Sequence, residues 1–183
     1  GALPQEGSDP PTEAFCYQNT TGLAQAFFFA IDRFSASTSP RFDLFVPTGQ
    51  ALRYTNASGS LLEPANSPNA LAVGAICWSG DGLEPYSSQG PTIDGRIKPD
   101  IAAPAAVTSG VYGPFAGCGS SDPSTGFTGT SAAAPHVAGA AALWKALMPL
   151  SSSDAIRDML QADAVDLGGD AVPDSMFGVG KLR

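Results

Sequence analysis

Histidine is nearly absent from this sequence: His136 is the one imidazole in 183 residues. Chemistry that needs a histidine base must use that residue or take its base from elsewhere. Charge is also scarce, with 14% of residues Asp, Glu, Lys or Arg where about a quarter is usual. The Lys and Arg residues never cluster, and the formal net charge is −8. That excludes the basic surface a phosphate backbone demands, so no nucleic-acid partner is expected. No run approaches the ~20 apolar residues of a membrane span, and no membrane partner is expected either. The opening GALPQEGSDPPTE has no basic stretch followed by an apolar one, so no signal peptide is expected in it. Cys16, Cys77 and Cys118 allow at most one intramolecular disulfide. None belongs to a C-x-x-C or Cys/His pattern, so they read as small buried residues, with no metal site expected.

What is present suits a packed core. Hydrophobic residues make up 43% of the chain and aromatics 9%, too much for a disordered segment. The length fits one domain or slightly more. Residues 1–14 are polar and proline-bearing and read as a linker or lead-in loop. Residues 15–62 read as a β-rich inserted segment. Ala24 to Phe34 is a strand candidate, with a helix over 22–34 as the alternative. Phe42, Leu44 and Val46 alternate on one face, Pro47-Thr48-Gly49 makes a turn, and Leu52 to Thr55 returns as a hairpin partner. The expected result is a small antiparallel β-sandwich. Two N-x-[ST] sequons, at Asn19 and Asn56, carry little weight because the motif is common by chance.

From residue 63 the pattern is α/β. Ala70 to Ile76 is a continuous apolar run, expected as a strand buried on both faces. Pro99 to Pro104 reads as a second short buried strand, stopped by its proline. A glycine-rich loop over 109–129 leads into a helix from Ser131 to Met148. Pro135 falls near its start, where a missing N–H costs little. The helix is apolar nearly all round, which predicts a central, buried position. Ser151 to Asp154 can cap a second helix, with Ile156, Met159 and Leu160 on its inner face. Phe177-Gly178-Val179-Gly180-Lys181 predicts a tight turn into a last short strand.

Gly129-Thr130-Ser131 is the candidate site. A serine at a helix N-terminus feels the positive end of the macrodipole, and its backbone N–H can face a developing oxyanion. A G-T-S sequence alone would otherwise be an N-cap. His136 lies five positions on, about 140° round the helix axis and about 7.5 Å along it. A nucleophile and its base must meet within about 3 Å, so His136 is expected to be buried, hydrogen-bonded and structural. Asp94 and Asp100 lie in the loop and strand before the candidate serine, and Asp154, Asp158, Asp163, Asp166 and Asp170 read as caps or solvated faces. Lys98 and Lys145 could in principle supply a Ser–Lys dyad, but no spacing supports it.

Four ordered blocks resemble the subtilisin-like serine peptidases. GTSAAAPHVAGAAAL at 129–143 is similar to the family's nucleophile signature. NALAVGAI at 69–76 and YSSQGPTIDGRIKPDIAAP at 86–104 resemble the strands and loop that precede it, and FGVGKLR at 177–183 its closing turn. The resemblance covers residues 63–183 as the C-terminal part of a catalytic domain. It implies a partial parallel-sheet core around a central helix, with 15–62 as a β-sandwich insertion. It implies Ser131 as nucleophile, Gly129 and Thr130 as the nucleophile loop, and structural roles for Pro135 and His136. The family's catalytic Asp and His blocks and its oxyanion asparagine do not occur in these residues. The expected function is therefore peptide-bond hydrolysis through an acyl-enzyme on Ser131, with Asp and His supplied by an upstream segment or a second chain. Alternatives are an inactive binding or assembly module, prone to self-association, and an esterase working without a full triad. The implied substrate is a peptide or protein and the implied location extracytoplasmic. No cofactor is expected; stabilising calcium is common in such enzymes, but no loop here is diagnostic of it.

Overall fold

The computed structural model describes residues 14, 16–31, 35, 37–39, 41–46, 52–115, 117–119, 126–168 and 171–183. The chain divides into two compact units, Gly1–Leu44 and Phe45–Arg183. The described residues of the first unit form no strand or helix. Phe27, Phe28 and Phe29 are all exposed, Phe28 at 94%. The β-sandwich expected over 15–62 is not shown: neither the described part of the Ala24–Phe34 candidate nor 41–46 and 52–55 is paired as a strand. The hairpin turn expected at Pro47-Thr48-Gly49 lies outside the described residues. Apolar alternation supplies a face for a strand, but a strand also needs a hydrogen-bonding neighbour. Phe42 and Leu44 remain exposed.

The second unit is α/β. β1 (Val73–Cys77) and β2 (Ile101–Ala105) pair in parallel, with Val73 opposite Ile101 and Cys77 opposite Ala105. Gly74 to Cys77 are buried throughout, as a strand covered on both faces should be. β2 continues past Pro104 to Ala105, beyond the expected stop. The proline costs nothing to the sheet where its nitrogen needs no acceptor. The chain end lies along the other side of β2: Ala102 donates to the Gly180 carbonyl at 2.8 Å and Leu182 donates to the Ala102 carbonyl at 2.8 Å. Lys181 makes single bridges to Ala102 and Val165 there.

α1 (Thr130–Leu147) crosses the two strands, and α2 (Ser153–Ala162) packs beside it. Ala75, Ala103, Ala105, Ala132 and Ala133 bring helix and sheet close, while Ile101, Val137, Ile156 and Leu160 fill the larger spaces. Ser152 caps α2, its hydroxyl accepting from the Ala155 N–H at 3.1 Å. Ile156 and Leu160 are buried and Met159 is half-buried. α1 departs from expectation in two ways. Pro135 is its sixth residue, one position further in than a start at Ser131 gives and just past the first turn, so the Ser131 carbonyl loses its usual helical partner. The helix is also covered on one side only: Leu143 and Leu147 are 71% and 76% exposed. Composition made it apolar all round, but these two strands and α2 cover only the face of Ala132, Ala133 and Val137.

A short loop carries one pH-sensitive anchor. Asp94 accepts from Arg96 Nε at 2.8 Å and from the Thr92 hydroxyl at 2.5 Å. These bonds, Arg96 first, hold its carboxyl at about 2, below the 3.8 of a free aspartate. A depressed folded value stabilises above the unfolded value and is lost as pH falls through the folded one. The 92–96 turn is therefore expected to keep these bonds down to about pH 4 and lose them as pH approaches about 2. A carboxyl-carbon NMR titration checks this; an Asp94 midpoint near 3.8 would contradict it.

Candidate functional site

The approach to α1 is fixed by backbone pairing. Val107 and Phe127 exchange hydrogen bonds at 3.0 and 2.7 Å, and the Phe127 ring stacks on Tyr112 with centroids 5.0 Å apart. Gly126 has φ +88, and an added Cβ would meet the Val107 carbonyl at 3.0 Å. Gly129, the N-cap residue, has φ 85 and ψ 166, backbone that an L side chain rarely adopts. Its carbonyl accepts from the Ala132 N–H at 2.9 Å. Thr130 and Ser131 follow at the exposed helix mouth. Among the described residues, neither the Ser131 hydroxyl nor its backbone N–H has a hydrogen-bond partner. One residue thus presents a nucleophile-type oxygen and an anion-binding N–H to open space.

His136 does not join Ser131. Its Nδ1 donates to the Ala132 carbonyl at 2.7 Å, folding the ring back on its own helix. The residue is exposed, which corrects the expectation of a buried one, because α1 turns positions 134–136 away from the strands. The hydrogen-bonded part of the expectation stands. The two lysines are also committed elsewhere. Lys98 Nζ donates to the Ala70 carbonyl at 2.7 Å and pairs with Asp100 at 2.5 Å in a buried setting. Asp100 also accepts from the Ala72 N–H at 2.6 Å, which ties the loop between the strands to the start of β1. Lys145 Nζ donates to the Ser151 carbonyl at 2.6 Å. No base stands beside Ser131 among the described residues.

Two residues near the site escaped sequence reasoning. Burial pushes the Tyr86 phenol up, the Gly129 backbone amide partly offsets this, and the Glu84 carboxylate adds to it. The Tyr86 hydroxyl faces that amide without closing a hydrogen bond. Glu84 is 1% exposed. One of its oxygens accepts from the Gly119 N–H at 2.7 Å and the other is buried without a partner. Cys77 and Cys118 form a disulfide beside it, and Cys16 is free and exposed. The expectation of three buried cysteines thus holds for Cys77 alone. In the sequence, Glu84 resembled any loop carboxylate, and the 41-residue separation of the cysteines hid their meeting. An open groove of about 580 Å³ between α1 and α2, lined by Leu71, Ala138, Ala142 and Leu160 among others, does not include Ser131.

The helix mouth thus sets a serine hydroxyl and a backbone N–H together on an α/β frame, an arrangement chemically able to attack a carbonyl and hold the resulting oxyanion. The model of the subtilase family matches residues 49–180. Bacillopeptidase F of Bacillus subtilis is 35% identical over 147 residues, 80% of this chain and 9% of that protein. Subtilisin E of Bacillus subtilis is 34% identical over 105 residues, 57% of this chain and 24% of that protein. The solved structure of the Clostridium perfringens CspB protease shares the fold at a TM-score of 0.56 and 24% identity, over 71% of this chain and 28% of that one. The chain belongs to the subtilase family. It spans less than a third of each of these relatives. Among the described residues, no helix is long and apolar enough to cross a membrane.

Proposed function

We propose that these residues are the nucleophile-bearing part of a subtilisin-like serine peptidase whose catalytic Asp and His come from sequence outside them. The observation that carries this reading is Ser131 itself, with hydroxyl and N–H both open at the α1 mouth inside a subtilase frame. In the proposed reaction the Ser131 oxygen attacks the scissile carbonyl and gives its proton to the incoming histidine. The Ser131 N–H receives the oxyanion, the amine leaves with that proton, and water releases the acyl group. Gly129 and Thr130 set the loop, while Pro135 and His136 shape the helix. The substrate is a peptide or protein. A Cys77–Cys118 disulfide supports an extracytoplasmic location. In this reading residues 15–62 remain an inserted β-rich segment.

The exposed apolar side of α1, with Leu143 and Leu147 and with Leu150 just beyond its end, supports a missing neighbour: the upstream segment is proposed to cover it. The same face favours a second reading, an assembly module that pairs with itself. A fluorophosphonate probe separates the readings. The 183-residue chain alone is expected to label slowly, and a longer chain including the upstream segment to label rapidly at Ser131. Rapid labelling of the isolated chain would overturn the need for an outside base. Equal, negligible labelling of both would favour the assembly module.

A further inference from the structure

The cluster of Cys77, Cys118 and Glu84 offers chemistry that the proposed peptidase does not use. Their sulfurs and a carboxylate oxygen lie within 4.8 Å of one another. Glu84 follows the single antiparallel bridge of Leu83 to Ile76, and its N–H donates to the Ala75 carbonyl at 3.0 Å. The Gly119 N–H holds one carboxylate oxygen and leaves the other, Oε1, buried with no partner. A disulfide has no proton to give that oxygen, and an unpartnered buried carboxylate oxygen is costly. A cation would satisfy it. The surroundings are ordered for such a role. The 77–82 turn is closed by Cys77 donating to the Gly82 carbonyl at 2.8 Å and Asp81 donating to the Cys77 carbonyl at 3.0 Å. Ser79 Oγ lies 3.2 Å from one sulfur and 3.6 Å from the other, placed to donate to thiolates. Cys118 is exposed, which gives an ion an access path.

We propose that the reduced Cys77–Cys118 pair and Glu84 form a three-ligand site for a thiophilic divalent cation of the zinc class, mutually exclusive with the disulfide. Reduction by a phosphine or dithiol breaks the S–S bond with two electrons and two protons, giving two thiols. The cation then displaces both thiol protons and binds two thiolates and Glu84 Oε1. Water takes the fourth position on the Cys118 side. Around a tetrahedral ion with Zn–S near 2.3 Å the sulfurs stand about 3.8 Å apart. The Cα atoms are 5.5 Å apart, and rotation of the exposed Cys118 side chain supplies the separation. Disulfide and cation each pin residue 118, in the loop that leads to Ser131, to the end of β1.

The test is a Co2+ titration of the 183-residue chain carrying Cys16→Ser, which removes the free thiol, in reduced and oxidised forms. The reduced form is expected to bind one Co2+ with thiolate-to-cobalt charge-transfer absorption, released by Zn2+, and the oxidised form to show none. Glu84→Gln is expected to weaken binding about 10- to 100-fold, and Cys118→Ser, at an exposed position, to abolish the absorption. Absence of that absorption in the reduced chain, equal binding by the oxidised chain, or unchanged affinity in Glu84→Gln would each overturn the proposal.

Discussion

Replacing Ser131 with alanine in a longer chain that includes the upstream segment is expected to lower kcat on a peptide substrate on the order of 10^6-fold, the scale of losing a triad serine in a subtilisin. The Ser131 hydroxyl makes no hydrogen bond among the described residues, and the residue is exposed, so its removal takes no hydrogen bond from the folded state. Thermal stability should therefore change by no more than about 0.5 kcal/mol, as at an exposed position. KM should change little, because the lost interaction belongs to the covalent step. Turnover on the order of 10^3- to 10^4-fold above the uncatalysed rate should persist, since the Ser131 N–H belongs to the backbone and survives the substitution. Steady-state kinetics beside a melting curve check both halves. A loss under tenfold with a normal melt would remove Ser131 from the chemistry. A large loss with a collapsed melt would assign it to the fold.

The elements around this serine were legible because apolar runs lie between strong punctuators. β1 and β2 fall within a few residues of the runs ending at Ile76 and Pro104, and α1 within one residue of its expected bounds. Ser131 was singled out by the ordered blocks around it, since G-T-S alone reads as a helix cap, and the structure sets it at the mouth of α1. What stayed hidden was long-range. The sequence of α1 reports that all its faces are apolar, but which neighbours cover them is decided by segments far away. His136 therefore reads as buried yet lies exposed, bonded to its own turn. Nothing in the sequence singles out Glu84, and only the fold brings it to Gly119 and the two cysteines. Phe42 and Leu44 show the converse case, in which a period of two is present and no partner strand is formed among the described residues.

Gly178→Ala is expected to be strongly destabilising. Gly178 has φ 65, in the left-handed region, where an L residue costs about 1–2 kcal/mol. Space is the larger obstacle. A Cβ there would overlap the carbonyl carbon and oxygen of Asp100, rigid backbone at the start of β2. Relief requires the 174–182 segment to move away from β2. That motion strains the Val179 N–H bond to Asp100 at 3.1 Å, then the two Ala102 bonds to Gly180 and Leu182 at 2.8 Å. Each such bond contributes about 1 kcal/mol, so the expected loss is about 3–5 kcal/mol, a large part of a domain's usual stability. Gly139→Ala is the matched control. It adds the same methyl in the middle of α1, where nothing lies within 4 Å, and should stabilise by about 0.5–1 kcal/mol. Urea unfolding should move the two midpoints in opposite directions. If both variants shift the same way, the close approach of residue 178 to β2 is not what holds the chain end in place.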